Sequence, residues 1–155
     1  MRLTELLTPE DLILGFDPVD KWDAVNRLVD HLFERGRLPQ EELETIREAV
    51  LARERSMSTG MEHGIAIPHA AVDGVEGLAV ALGIVGAEGG LAFESIDGQP
   101  ARFVVLLVIP KTQKLLHIRT LADVARILAK DEVREKLLGA ETAEAAWYAL
   151  RSGEA

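Results

Sequence analysis

With no cysteine in its 155 residues, this sequence has no thiol chemistry: disulfides, thiolate metal sites and cysteine nucleophiles are excluded. Among the nucleophiles that remain, the four histidines, His31, His63, His69 and His117, stand in distinct contexts. His69 ends the segment Gly64-Ile65-Ala66-Ile67-Pro68-His69. A short apolar strand delivers the chain, and Pro68 fixes φ near about −65°, so the ring is presented stiffly beside a glycine-containing loop. A neutral imidazole at pH 7 can serve as nucleophile, base or metal ligand. A histidine that merely closes a strand end reads equally well from spacing alone. His117 stands where an apolar run ending in Pro110 gives way to a helix. The first helical turn offers free N–H groups and a partial positive charge, so a histidine there can help hold an anion; a solvated first-turn residue is the plainer reading. His31 sits beside Leu28 and Leu32 in a helical pattern and reads as a boundary residue.

Arg53-Glu54-Arg55 closes a helix, where basic residues complement the dipole. One of the two arginines could instead reach a phosphate as a planar fork. Ser58, Thr59 and Gly60 could supply hydroxyl and backbone donors, although they are also ordinary loop composition. Two histidines, an arginine and this loop together describe an oxyanion site. A phosphohistidine carrier needs such a set: a nucleophilic imidazole and donors for three phosphate oxygens. His63, His69, His117 and Glu62 could alternatively ligate zinc in a hydrolase. No HExxH spacing supports that, and neither a metal nor another cofactor is expected.

The elements that must position these groups follow from periodicity. Asp20 caps a helix over Lys21–Arg35 with a stripe of Val25, Leu28, Val29, Leu32 and Phe33, ended by Gly36. A second helix runs from Pro39 to about Arg53 with Leu43, Ile46, Val50 and Leu51 on one side. Residues 56–64 read as a loop, and Ile65–Ile67 as a strand stopped by Pro68. The apolar runs Leu78–Val85 and Arg102–Ile109 suit strands covered on both faces. Asp97-Gly98 marks a turn between Leu91–Ile96 and the second run. A third helix spans Leu115–Ala129 with Ile118, Leu121, Ala122, Ala125 and Leu128 on one side, and Asp131–Leu138 and Thr142–Arg151 complete a helical C-terminus. The order implies one α/β layered domain over residues 1–155, a mixed β-sheet flanked by helices on both faces, with 152–155 a frayed tail.

The composition, 48% hydrophobic and 28% charged, is that of a globular domain. With 17 basic against 26 acidic residues the net charge is −9. That disfavours nucleic acid and anionic membrane surfaces as partners and suits a basic protein. The longest apolar run, Phe103–Ile109, falls far short of the ~20 residues of a membrane helix, and Met1–Glu5 has no apolar signal-peptide region. A cytoplasmic location without membrane insertion is expected.

The stretch Arg53-Glu54-Arg55-Ser56-Met57-Ser58-Thr59-Gly60-Met61-Glu62-His63-Gly64-Ile65-Ala66-Ile67-Pro68-His69 resembles the active-site signature of enzyme IIA domains of the bacterial phosphotransferase system. The subclass is the fructose/mannitol type, which includes nitrogen-regulatory IIA proteins. Asp97-Gly98-Gln99-Pro100, the strand ending in Pro110, and His117 before Leu121-Ala122 resemble the family's second block. The resemblance implies that His69 receives a phosphoryl group from the phosphocarrier HPr as a phosphohistidine. It implies that His117 hydrogen-bonds the phosphate, that Arg53 belongs to the site, and that Ser58, Thr59 and Gly60 form the phosphate-side loop. It also implies the mixed sheet flanked by helices. The phosphoryl group would pass to a IIB domain, or its presence would regulate binding to a target protein. Glu62-His63 departs from a commoner Gly-Asn-like pair, Ala70 stands where glycine is frequent, and Ile118 replaces a leucine.

Overall fold

The computed structural model describes residues 2–154. Its centre is a five-stranded sheet: β1 (Leu12–Phe16), β2 (Ile65–Ala66), β3 (His69–Val72), β4 (Ala79–Val85) and β5 (Phe103–Pro110). Every residue of β4 and β5 is buried, as their unbroken apolar sequence requires. β5 pairs antiparallel with β4, and β1 pairs parallel with β4 on its far side. On the other side of β5, β2 and β3 both pair with it in parallel. Ile65 stands opposite Phe103 and His69 opposite Leu107, the same offset, so β2 and β3 form one edge line. Pro68 therefore interrupts the strand without ending it.

The period of two divides the side chains between two cores. Ala66, Ala70, Ala81, Val104, Leu106 and Val108 point to one side. There they meet α2 (Lys21–Glu34) through Leu28 and Leu32, and α3 (Leu43–Ser56) through Ile46 and Val50. Ile65, Ile67, Leu82, Phe103, Val105 and Leu107 point to the other side. They meet α4 (Lys114–Leu128), α5 (Asp131–Gly139) and α6 (Ala143–Gly153) through Val124, Val133 and Leu150. A short helix, α1 (Leu3–Leu6), adds Leu3 to this second core. The mixed sheet flanked by helices on both faces is thus found.

Four details differ from the expectations. β1 and α1 carry no strong periodic signal and are recruited by tertiary packing. Leu91–Ile96 is not a strand; only Leu91 makes a bridge, to Ala101, and β5 takes β4 as its antiparallel neighbour instead. The inward face of α4 is Thr120, Val124, Ile127 and Leu128, while Ile118 and Ala122 are exposed. Apolar residues lie on more than one side of this helix, and the sheet selects among them. Ser152 and Gly153 are not frayed: they belong to α6, and a Cβ on the buried Gly153 would lie 2.7 Å from Val133. Glu154 also accepts hydrogen bonds from the backbone and hydroxyl of Thr4, and Ala155 lies outside the described residues.

Candidate functional site

The alternation that sends Ile65 and Ile67 toward α4 sends the His69 side chain the same way, because it occupies the next position of that face on the edge line. α4 starts four residues after the end of β5 and carries His117 over this edge. The two rings meet edge to face, with centroids 5.1 Å apart at 71°. His117 is the fourth helical residue, and its N–H already donates to the Gln113 carbonyl at 3.1 Å, so only its ring serves the site. From the opposite layer, the last turn of α3 supplies Arg53, whose guanidinium donates to the Met57 carbonyl at 2.8 Å. Arg53, Met57, Ser58, Thr59, Gly60, Ile67 and His69 all line one cleft of about 320 Å³, which Met61, Ile96 and Leu121 complete.

His69 is 9% exposed, and its Nδ1 lies 2.8 Å from the Ile67 carbonyl oxygen. A carbonyl only accepts, so the proton is assigned to Nδ1, and Nε2 keeps its lone pair. Burial is the main cause that pushes the His69 pKa below its ordinary value; the bond to Ile67 and the carboxylate of Glu54 oppose it, while the Arg53 cation and His117 reinforce it. Burial, then Arg53, lower His117 likewise. Both rings are thereby held neutral at pH 7. A neutral, oriented imidazole beside a second imidazole and a guanidinium is suited to accept and hold a phosphoryl group.

The loop donors are placed differently from the expectation. The Ser58 hydroxyl donates to the Glu94 carbonyl at 2.6 Å and accepts from the Gly60 N–H at 3.3 Å. Thr59 is buried, and both its N–H and its hydroxyl donate to the Glu54 carboxylate, at 2.9 and 2.5 Å. These groups line the cleft, but they have internal partners rather than free donors. Gly60 is required by packing, since a Cβ there would lie 2.0 Å from the Glu94 carbonyl oxygen. The set proposed for zinc is not assembled: Glu62 and His63 are exposed, the His63 N–H donates to Asp97, and no group of three potential ligands gathers among the described residues. His31 is a boundary residue whose Nε2 meets the Glu10 carbonyl at 2.7 Å.

Three contributors were not anticipated from sequence. One is Glu54, although an acid at the i+8 position of the buried Ile46, Val50 stripe is a readable signal. The second is its ion-pair partner Lys21, 3.4 Å away and 33 residues earlier in the chain. The third is an apolar rim. Met57 and Ile96 line the cleft, Leu115 and Ile118 flank His117, and all four are at least 60% exposed.

A family model for the phosphoenolpyruvate-dependent sugar phosphotransferase system, EIIA 2, matches residues 5–153. A fructose-specific EIIABC component of the phosphotransferase system from Bacillus subtilis is 34% identical over 145 residues; the match covers 94% of this chain and 22% of that one. A nitrogen regulatory protein of Pseudomonas aeruginosa is 30% identical over 145 residues, covering 94% of this chain and 92% of the other. A solved complex of enzyme IIA mannitol with phosphorylated enzyme IIB mannitol from Escherichia coli contains a chain superposing with a TM-score of 0.78 at 22% identity, covering 94% of this chain and 97% of that one.

Proposed function

The chain belongs to the EIIA 2 family of the phosphoenolpyruvate-dependent sugar phosphotransferase system, and on that premise we propose that His69 is its phosphoryl acceptor. The observation that carries this reading is the Nδ1 contact to the Ile67 carbonyl, which leaves Nε2 as the only basic nitrogen of a neutral ring. In the proposed step Nε2 attacks the phosphorus of a phosphohistidine on an HPr-like phosphocarrier. The P–N bond of the donor breaks, its electron pair returns to the donor imidazole, and a new P–N bond forms at His69. Arg53 and His117 then donate to the phosphoryl oxygens, offsetting charge that builds in the transfer. Because phosphohistidines exchange with little change in bonding, the residues here supply position and charge rather than an added reagent.

Docking falls to the apolar rim of Met57, Ile96, Leu115 and Ile118, with the exposed acids Glu62, Glu94 and Asp97 set beside it for basic groups of a partner. From His69 the phosphoryl group passes to a IIB domain, in keeping with the IIA–IIB pairing named for the Escherichia coli complex. The likeness to the Pseudomonas protein supports a second reading, in which the phosphorylation state governs binding to a regulatory target without sugar transport. Both readings place the protein in the cytoplasm; no helix among the described residues is long and apolar enough to cross a membrane.

Incubation with enzyme I, HPr and phosphoenolpyruvate followed by intact mass tests the acceptor. One acid-labile phosphoryl group is expected, and His69→Ala should lose it; a variant that still takes up phosphate sinks the assignment. Loss of uptake of one sugar on deletion supports the transport reading, and unchanged uptake supports the regulatory one.

A further inference from the structure

A chain of contacts begins at Lys21, which does not line the cleft, and ends on the His69 ring. Lys21 opens α2, with its side chain 13% exposed and its ammonium 3.4 Å from the Glu54 carboxylate. The Glu54 side chain is fully buried in the last turn of α3. Its two oxygens each take one donor of Thr59, the backbone N–H and the hydroxyl, so the carboxylate grips that residue at two points. The Thr59 carbonyl in turn accepts the Ile67 N–H at 3.2 Å. This is the break between β2 and β3, where Ile67 leaves the ladder of β5, and the Ile67 carbonyl is the partner of His69 Nδ1.

We propose that Glu54, held by Lys21, is a positioning residue that fixes the tautomer and orientation of His69 through Thr59 and the backbone of Ile67. Glu54 makes its hydrogen bonds to Lys21 and Thr59, not to His69, His117 or Arg53. Through Thr59 it anchors Ile67 by its N–H, and the placement of that residue decides whether its carbonyl, in the following peptide to Pro68, can hold the proton on Nδ1. A single bond from Thr59 would leave the loop free to pivot; two bonds to one carboxylate remove that freedom. Lys21 has a separate task. A buried carboxylate next to a site for a dianion repels it, and the ammonium, which also lies 3.6 Å from Glu94, balances that charge without occupying the cleft.

The proposal rests on His69 being the phosphoryl acceptor, and the test separates the two. The full chain and its Glu54→Gln, Thr59→Val and Thr59→Ser variants would be labelled with ¹⁵N at histidine, and the ring shifts of unphosphorylated His69 recorded. Acceptance from phospho-HPr would be followed in parallel. The native chain and Thr59→Ser should show a single Nδ1–H tautomer. Glu54→Gln and Thr59→Val should show a mixture, with kcat at least tenfold lower, inside the roughly hundredfold that a misplacement of about 1 Å can cost, and KM for phospho-HPr within about twofold because the docking rim is untouched. Unchanged ring shifts in Glu54→Gln and Thr59→Val overturn the proposal, even if their rates fall. A Thr59→Ser chain as impaired as Thr59→Val overturns it too, because the two-point grip would then be irrelevant. If the native chain accepts no phosphate, the acceptor assignment is wrong, and the ring shifts still decide whether Glu54 sets the tautomer.

Discussion

Burial of the His69 ring and the nearby cation of Arg53 act in the same direction on its proton, and outweigh the opposing effects of the Ile67 carbonyl and Glu54. The proposed nucleophile therefore stays unprotonated below the ordinary histidine value of 6.5. Acceptance from phospho-HPr is expected to remain flat as the pH falls through that value and to decline only below it. Rapid-quench rates across the range check this, and a rate halved at 6.5 would show that the ring titrates normally. The sign for stability follows from the same shift. The unfolded chain takes up the proton first as the pH falls, so stability is lost between 6.5 and the lower folded value, and no further loss comes from this group below it. His117 contributes in the same sense. At this scale the sequence was informative about which residues gather at one cleft and silent on where their hydrogens point. That His69, His117 and Arg53 come together was legible, because the proposed phosphohistidine site needs those types in one place. Thr59 was assigned to the phosphate side because a hydroxyl next to a glycine suits that role. Its direction is decided by Glu54, only five residues earlier, whose carboxylate is turned inward with the buried stripe of α3.

The rotation of α4 about its axis determines what surrounds the two histidines. Thr120, Val124, Ile127 and Leu128 turn to the sheet, which leaves Leu115 and Ile118 outward on either side of His117. Ile118 is 67% exposed, so a charge there costs little in folding, yet it would lie within the proposed partner interface. Ile118→Asp should raise KM for phospho-HPr roughly fivefold, the effect of losing an interface contact worth about 1 kcal/mol, with kcat and melting temperature nearly unchanged. Steady-state transfer and a thermal melt check this. A fall in kcat at constant KM would mean that Ile118 supports the chemistry and not the docking. The helix itself was readable from its period, but its facing was not. Leu115, Ile118, Leu121 and Ala122 offer one apolar surface and Val124, Ile127 and Leu128 another, and a stripe broader than the buried face cannot say which part meets the core. β1 shows the same limit in a strand: Leu12–Phe16 is short and carries Gly15, so its place beside β4 is a tertiary choice.

In the molecule as a whole, β5 is the wall shared by two cores, and neighbouring residues of one strand answer to different helices. Its apolar sequence made that double burial legible, along with the α/β class. The split of the edge line at Pro68 was not legible, because a proline normally ends a strand; here the ladder resumes at its own carbonyl, which accepts the Leu107 N–H at 3.1 Å. Leu106 and Leu107 put this architecture to use as a test. Both are fully buried, Leu106 in the core under α2 and α3, Leu107 in the core under α4. Either truncation to alanine should cost about 2–5 kcal/mol, lowering the melting temperature by roughly ten degrees in a chain of this size. Their effects on transfer should diverge. Leu107 is the register partner of His69 and shares its face, so a cavity there loosens the floor beneath the ring. Leu106 faces away. Well below the melting transition, Leu106→Ala should accept phosphate at the native rate while Leu107→Ala is slowed severalfold. Denaturant titrations and transfer rates on the same preparations make the comparison. Equal slowing in both variants would mean that the site senses overall stability, and that the sheet does not insulate one core from the other.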